Sequence, residues 1–470
     1  MLALAIFLPP NCSAGTVILK PSQNIPAIVA ESPAGTTFQF TSGLFRFAEA
    51  VTPLQGDTFV GASNRTTIIT GATQLRSFTD EGGHWVALLN LDHTNPICDA
   101  GPCTCVAGVS ACNLTEDLFF DDRVFQRVSS LSAVTTGKWY WNRSTGAIYL
   151  ADNPAGHDVE TSTASEAFVG SAGSVTINGL VIKRFAGEAI RASSANGQDG
   201  KNWVVENCNI QGAHLAGIST GTEMKIVNNT LCDNGKLGII GNGDSDLVQG
   251  NIICRNNYAG FYAESGGAYF SATSNLVVRS NYVYNNHSIG LHTDGSCENT
   301  LYDSNHTAGN NGAGIVHEIS HAAIIRNNVS ENDVFVSSHS SAGFGSGIWI
   351  LASDNVEVYG NTVTNSMNGI TAYQAYRYDT YGVHLLENLW VHDNVITQQK
   401  GAAGGILVYT KAQYYPAVFT TMNNHFDNNT YCIGSSSGNY FDWQLSTVSM
   451  EVWQKTYGQD VHSTIACPAK

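Results

Sequence analysis

Charge is scarce in this sequence. Asp, Glu, Lys and Arg make up 13% of its 470 residues, and basic side chains number only 22 against 38 acidic ones. The formal net charge of −16 leaves no basic stripe to neutralise phosphates, which argues against nucleic acid or an anionic membrane surface as partner. A neutral or calcium-bridged partner fits better. Long hydrophobic runs are also missing: nothing beyond the first residues approaches 18 consecutive apolar positions, so no membrane span is expected.

What is abundant is glycine, 47 residues, together with Asn, Ser and Thr. That profile suits stacked strands joined by tight turns and argues against a helical protein. The length would hold two or three ordinary domains, but solenoids of this length run as one unit. Residues 1–14, MLALAIFLPPNCSA, read as a secretory signal that lacks the basic start of a complete one, which predicts a secreted, extracellular protein. Of the 11 cysteines, removal of Cys12 with the signal leaves an even number and permits disulfides. Cys98, Cys103, Cys105 and Cys112 crowd one segment at spacings unlike a zinc ribbon, and Cys432 and Cys467 are placed to pin the C-terminal tail.

From about residue 175 one phrase recurs: β-branched residues, a polar pair, an Asn, another apolar residue, then Gly followed by an apolar residue. It reads VVENCNI, IVNNTL, LVQGNII, VVRSNYV, LYDSNHT, IIRNNVS, VEVYGNTV and WVHDNVI. Cys208, Asn229, Asn251, Asn281, Asn305, Asn328, Asn361 and Asn394 are thereby equivalent. A repeat of 20 to 25 residues with occasional insertions marks a β-solenoid with one coil per repeat, since a single coil cannot bury its own apolar face. The repeated Asn are expected at a sharp bend, tolerating a left-handed backbone and bonding to one another as a ladder. An inward ladder residue cannot carry a glycan, so the Asn-x-Ser/Thr matches at Asn305 and Asn328 are poor glycosylation sites.

The predicted fold is all-β: a single-stranded right-handed parallel β-helix with a β-rich N-terminal insertion and a C-terminal cap. Residues 15–75 form the N-terminal cap and first coils. Residues 76–160, with the cysteine cluster and the hairpin KWYWNRSTGAIYLA, form an insertion able to wall a cleft. Residues 161–430 are the regular coils, and 431–470 cap the open end, partly as a short helix. A capped monomer is expected.

The coils, together with ACNLTEDLFFDDRVFQRV, GKWYWNRSTGAIYLAD, ESGGAYFS, HTDGSCENTLYDSN, GIVHEISHAAIIRNN and MEVWQKTYGQDVHS, make the chain resemble the right-handed parallel β-helix repeat proteins of the pectate-lyase-like superfamily. The resemblance covers most of the chain. It implies the fold, and through related lyases a calcium-assisted proton abstraction, but no settled activity. Chains of this kind tend to carry Lys where Tyr269 stands.

The Gly of each coil fixes a register. With Gly217, Gly238, Gly260, Gly290, Gly314, Gly347, Gly369 and Gly405 as anchors, the fourth residue on is Gly221, Asn242, Glu264, Asp294, Glu318, Leu351, Tyr373 and Tyr409. Three successive coils thus place a carboxylate at one offset. If the residue after Gly points inward, the outer face shows Tyr262 with Glu264, His292 with Asp294, Val316 with Glu318, Trp349 with Leu351, and Thr371 with Tyr373. Like charges about 5 Å apart repel, and structure alone gives little reason to build such a column.

Two of Asp294, Glu318 and Glu264 can serve as the acid and the base or nucleophile of a glycoside hydrolase acting on a polysaccharide. His292, His317 and His321 are available to position or polarise, and Tyr262, Trp349 and Tyr373 to stack on sugar rings. His317 falls at an inward offset, where a core histidine serves as well as a catalytic one. The second reading is a lyase in which the carboxylates hold Ca²⁺ and Tyr269 or His317 is the base, because Arg255, Arg279 and Arg326 lie at other offsets. Beside these stand a noncatalytic glycan-binding or adhesion protein and a structural matrix protein. No cofactor is required by the hydrolase reading.

Overall fold

The computed structural model describes residues 14–91, 103–194, 196–333, 345–379, 382–398, 400–407, 416–435 and 437–467. The proposed signal, but for Ala14, and Cys98 lie outside them. Among these residues three long parallel sheets, of 13, 13 and 12 strands, wind around one core. We name them sheets I, II and III in the order the chain visits them in each coil. One turn runs Val204–Glu206 in sheet I, Asn209–Gln211 in sheet II and Ala216–Ser219 in sheet III, and the next begins at Lys225–Val227 on top of the first. The architecture is the expected parallel β-helix.

The alternation of the repeated phrase decides which side chains enter. In sheet I, Val205, Ile226, Val248, Val278, Tyr302, Ile325, Val358, Val391 and Phe426 follow one another in register and are buried. Sheet III stacks Ala268, Leu291, Ile315, Ile348 and Ile370 at one depth, and Phe270, Thr293, His317, Ile350 and Ala372 at the next. Each buried aliphatic chain contributes about 1.5–3 kcal/mol, and the stack makes that contribution continuous.

The Asn ladder stands at the bend between sheets I and II. Asn251 Nδ2 donates to Asn281 Oδ1 at 3.0 Å, Asn281 to Asn305 at 2.9 Å, and Asn305 to Asn328 at 3.0 Å; the chain of bonds continues through Asn361 and Asn394 to Asn429. Asn305 and Asn328 are each 1% exposed. The left-handed residue is not the ladder Asn but the one before it: Asn228, Gly250, Ser280, Ser304, Asn327, Gly360 and Asp393 all have φ between 53° and 67°. That residue turns the chain so that the next side chain points inward. A second ladder, Asn234, Asn256, Asn286, Asn310 and Asp333, locks the bend between sheets II and III. It was not anticipated.

A separate eight-stranded sheet between Ala72 and Ser162 holds its own core around Trp139, Trp141, Phe125 and Ile148. Buried Glu160 bridges it to the helix through Arg184 and Arg46. The helix Ile25–Glu31 covers one end, started by the Asn24 side chain accepting from the Ala27 amide. At the other end Trp453, from the helix Met450–Lys455, packs on Phe441 and Trp443. Cys105–Cys112, Cys232–Cys254 and Cys432–Cys467 are disulfides, and Cys103 is disulfide-bonded as well. The even-number argument does not pair every cysteine: Cys208 and Cys297 are free and buried.

Candidate active site on the outer face of sheet III

The sheet III strands Gly266–Ser271, Ile289–Asp294 and Ile315–Glu318 pair in parallel. Tyr269 lies beside His292, Ser271 beside Asp294, and Thr293 beside His317, which brings Glu318 next to Asp294. The anchor of the first of these coils is therefore Gly267, not Gly260. Residues 257–265 are a loop between sheets II and III: Tyr262 donates its backbone N–H to the Thr104 carbonyl, and Phe261 packs against the Cys105–Cys112 disulfide. So Tyr262 stands half-exposed on this loop, Tyr269 takes its predicted place, and Ser271 takes that of Glu264. Glu264 still reaches the site from this loop, close enough to interact with Lys236, Asp294, His292 and Tyr269.

Three side chains engage the two central carboxyls. The Tyr269 hydroxyl donates to Asp294 Oδ2 at 3.1 Å. His292 Nε2 lies 3.1 Å from Glu318 Oε2, and Arg377 Nη1 donates to Glu318 Oε1 at 2.7 Å. Arg377 comes from the hairpin of strands Arg377–Asp379 and Gly382–His384. That hairpin is tied down where Asp379 meets Ser296 and His384. Lys236, 3% exposed, lies over the Phe261 ring and faces Glu264 and Glu188.

The environments push the two carboxyls apart. Burial raises Asp294 above its ordinary range and the neighbouring Glu318 adds to that, against the pull of His292, Tyr269 and Arg377. Burial also works against ionisation of Glu318, but His292 and Arg377 together outweigh it and hold Glu318 low. Burial would neutralise His292; its bond to Glu318 and the charges of Asp294 and Glu264 reverse this and raise it. Burial, then the charges of Asp294 and Glu264, keep the Tyr269 hydroxyl protonated. Tyr269 is thus a donor and a poor base, contrary to one form of the lyase expectation.

Several expected site residues stand elsewhere. His317 is fully buried, with Nδ1 2.8 Å from the Thr293 hydroxyl, and burial lowers it to about 3; it is a neutral core residue. His321 starts a strand of sheet I and pairs with Asp354 at 2.7 Å, its ring 5.0 Å from that of His384. Trp349 and Tyr373 are 3% and 8% exposed, not open shelves. They belong to an apolar cluster on the outer face with Val316, Leu351 and Ala375, so their rings fill that cluster rather than meet solvent. Arg255 and Arg326 pair with Asp233 and Asp303 on other faces, and Arg279 bonds Gln249. Arg377 escaped the sequence reading because it lies outside the repeat.

His292, Asp294 and Glu318 each offer a ligand atom within 4.8 Å of the others. The set does not suit calcium, which takes six to eight oxygens: it has one nitrogen, and both Glu318 oxygens are already engaged by His292 and Arg377. What the arrangement provides is two carboxyls side by side, one held low and one pushed up, with a hydroxyl donor on Asp294 and His292 and Arg377 on Glu318.

The family model "Right handed beta helix region" matches residues 165–330 and 216–388. Over those residues the chain matches a right-handed β-helix, the fold that its three parallel sheets show. Its fold is similar to that of XylC, solved in complex with xylose, at 15% identity and a TM-score of 0.68 over 87% of this chain and 80% of that one. A mannuronic acid specific polysaccharide family 6 lyase from human gut microbiota aligns at 10% identity and a TM-score of 0.46, covering 94% of both chains. A polygalacturonase from Erwinia carotovora aligns at 10% and 0.43, covering 93% and 96%. No curated protein matches the sequence. The likeness to XylC shows the architecture alone, and the chemistry must be read from this chain's own side chains.

Proposed function

We propose that this β-helix is an extracellular, monomeric glycoside hydrolase of the retaining type, cleaving a polysaccharide between Asp294 and Glu318. The observation that carries the reading is the meeting of these two carboxyls, with oxygens within 4.8 Å, in surroundings that raise one and lower the other. Retaining enzymes hold their carboxyls about 5–5.5 Å apart, so that one attacks the anomeric carbon while the other protonates the departing oxygen. Water then takes the sugar from the enzyme as the second carboxyl accepts its proton. The disulfides accord with an oxidising compartment.

The charge of the site favours a hydrolase over a lyase. A lyase needs a cation against the substrate carboxylate and a base beside its α-carbon. Arg377 is already paired to Glu318, Lys236 faces two glutamates, and neither Tyr269 nor His317 is a ready base.

Two features bear on the order of roles. The ionised state of Glu318 suits a nucleophile, whereas the Tyr269 bond to Asp294 suits an attacking carboxylate there. A fluorinated glycoside that traps the covalent intermediate identifies which one carries the sugar. The deciding experiment measures new reducing ends and unsaturated products on a polysaccharide panel, for the parent and for Asp294→Asn and Glu318→Gln. We expect reducing ends without unsaturated products, falling by about 10³-fold or more in both variants. Parent-like activity in either variant, or chelator-sensitive unsaturated products, sinks the proposal.

A further inference from the structure

The geometry points to a second saccharide-binding site, on the outer face of sheet I around Trp390, which holds a neutral oligosaccharide strand without cleaving it. Of the eight tryptophans, six are at most 4% exposed and Trp85 is half-buried, but Trp390 is 49% exposed. Leaving so large an apolar ring in water is costly, and exposed rings of this kind serve as contact surfaces. Its face is held in place: the His392 ring lies 4.0 Å from it, and His392 in turn stacks on Tyr359 at 5.2 Å and 10°. His392 is itself fixed by Glu357 and Asp393.

Beside the ring is a cavity of about 440 Å³ lined by Asn388, Trp390, Asn423, His425 and Asp427, with Phe426 and Gly458 as floor. That volume lies within the range of about 300–1,000 Å³ usual for ligand sites. An amide run crosses its edge, Asn423 Nδ2 donating to Asn388 Oδ1 and Asn388 Nδ2 to Asn355 Oδ1, both at 3.1 Å. His425 Nε2 lies 2.7 Å from Asn423 Oδ1. Each exposed amide keeps a spare donor or lone pair for a hydroxyl. A flat ring beside such amides matches the apolar face and equatorial hydroxyls of a pyranose.

Charge selects the class of sugar. No Lys or Arg lines the cavity, Asp427 is an acid whose carboxyl is held low by His462, and the protein is strongly acidic. A uronate polymer would meet repulsion there, and a neutral strand would not. The site lies on a different sheet from Asp294 and Glu318, so binding there does not depend on the catalytic reading.

The test is calorimetric titration of xylohexaose, cellohexaose and oligogalacturonate into the full chain carrying Glu318→Gln, with and without Trp390→Ala. Binding of a neutral hexasaccharide, weakened about ten-fold or more by Trp390→Ala and restored in part by Trp390→Phe, supports the site. Equal affinity with and without Trp390, binding of oligogalacturonate alone, or no binding of any of the three overturns it. So does a dimer that Trp390→Ala dissociates, since the ring would then cover a second copy. In a Trp390→Ala variant of the active chain, unchanged turnover of a small aryl glycoside separates this site from the catalytic column.

Discussion

The role of His317 can be decided by stability measurements. Its ring is fully buried on the inner face of sheet III, where the neighbouring strands place Thr293 and Ile350. It meets the Thr293 hydroxyl through Nδ1, and Nε2 has no partner among the described residues. Protonation there is opposed first by burial and then by the charges of His321 and His292, so the folded chain takes up the proton only at about 3, against an ordinary 6.5. Between those values the unfolded chain binds one proton more than the folded one, so stability rises with pH. The penalty is absent above 6.5 and grows as pH falls. At pH 4.5 it amounts to roughly 2.7 kcal/mol.

The parent's own pH curve hides this, because buried Asp246 acts in the opposite sense. Burial raises Asp246 to about 7, so it favours the folded state below its ordinary 3.8 and that contribution is lost as pH rises towards 7. The two slopes oppose each other across the acidic range. The measurement is therefore a difference: urea unfolding of the parent and of His317→Leu at pH 8 and pH 4.5. Whatever Leu does to packing shifts both values equally. The variant should gain on the parent by roughly 2–3 kcal/mol on going to pH 4.5. A difference that stays constant with pH refutes the argument and returns His317 to the titrating, catalytically available groups.

Other outcomes follow from the same contacts. Arg377→Ala removes, after the His292 bond, a main influence holding Glu318 ionised, so the acid limb of the pH–rate profile should move to higher pH. Kinetics from pH 3 to 8 checks this, and an unmoved limb means Arg377 only supports its hairpin. Asn305→Ala leaves the Val278 carbonyl and groups of Asn281 and Asn328 without their partner, and should cost roughly 2–5 kcal/mol of unfolding free energy in urea. Cys208, pushed up to about 12 by burial, and buried Cys297 should resist iodoacetamide in the folded protein and react after unfolding, as peptide mass mapping would show.

The fold was legible because its signal repeats. Any one of the ladder Asn is uninformative, but a series of them before an apolar residue can be satisfied only by stacked coils. The register failed at one coil for an instructive reason. Gly260-Phe261 looks more like a strand start than Gly267-Ala268, since Phe is a better core residue than Ala. The 30-residue step from Asn251 to Asn281 was the available signal that this coil carried extra chain. Asp294 and Glu318 were legible because they sit in regular coils. Arg377 was not, since a hairpin outside the repeat delivers it. The burial of Trp349 and Tyr373 depends on apolar neighbours from several coils, which alternation along a single strand cannot reveal.

The ladders also explain why the proposed site lies on sheet III. In the coils from Asn229 to Asp333, two of the three bends hold a buried polar side chain bonded to a neighbouring coil, and extra residues at those points would break its contacts. Chain can be added only after the second ladder or at the third bend, both of which border sheet III. The loop carrying Glu264 follows Asn256, and the hairpin carrying Arg377 leaves the end of strand Asn368–Tyr373. Both reach back over the same outer face, one to each side of Asp294 and Glu318. The rigid coils fix the two carboxyls together with His292 and Tyr269, and the unladdered segments add Arg377 beside Glu318 and Glu264 beside His292. A change of specificity in such a protein should therefore arise in those segments, with the carboxyl pair left in place.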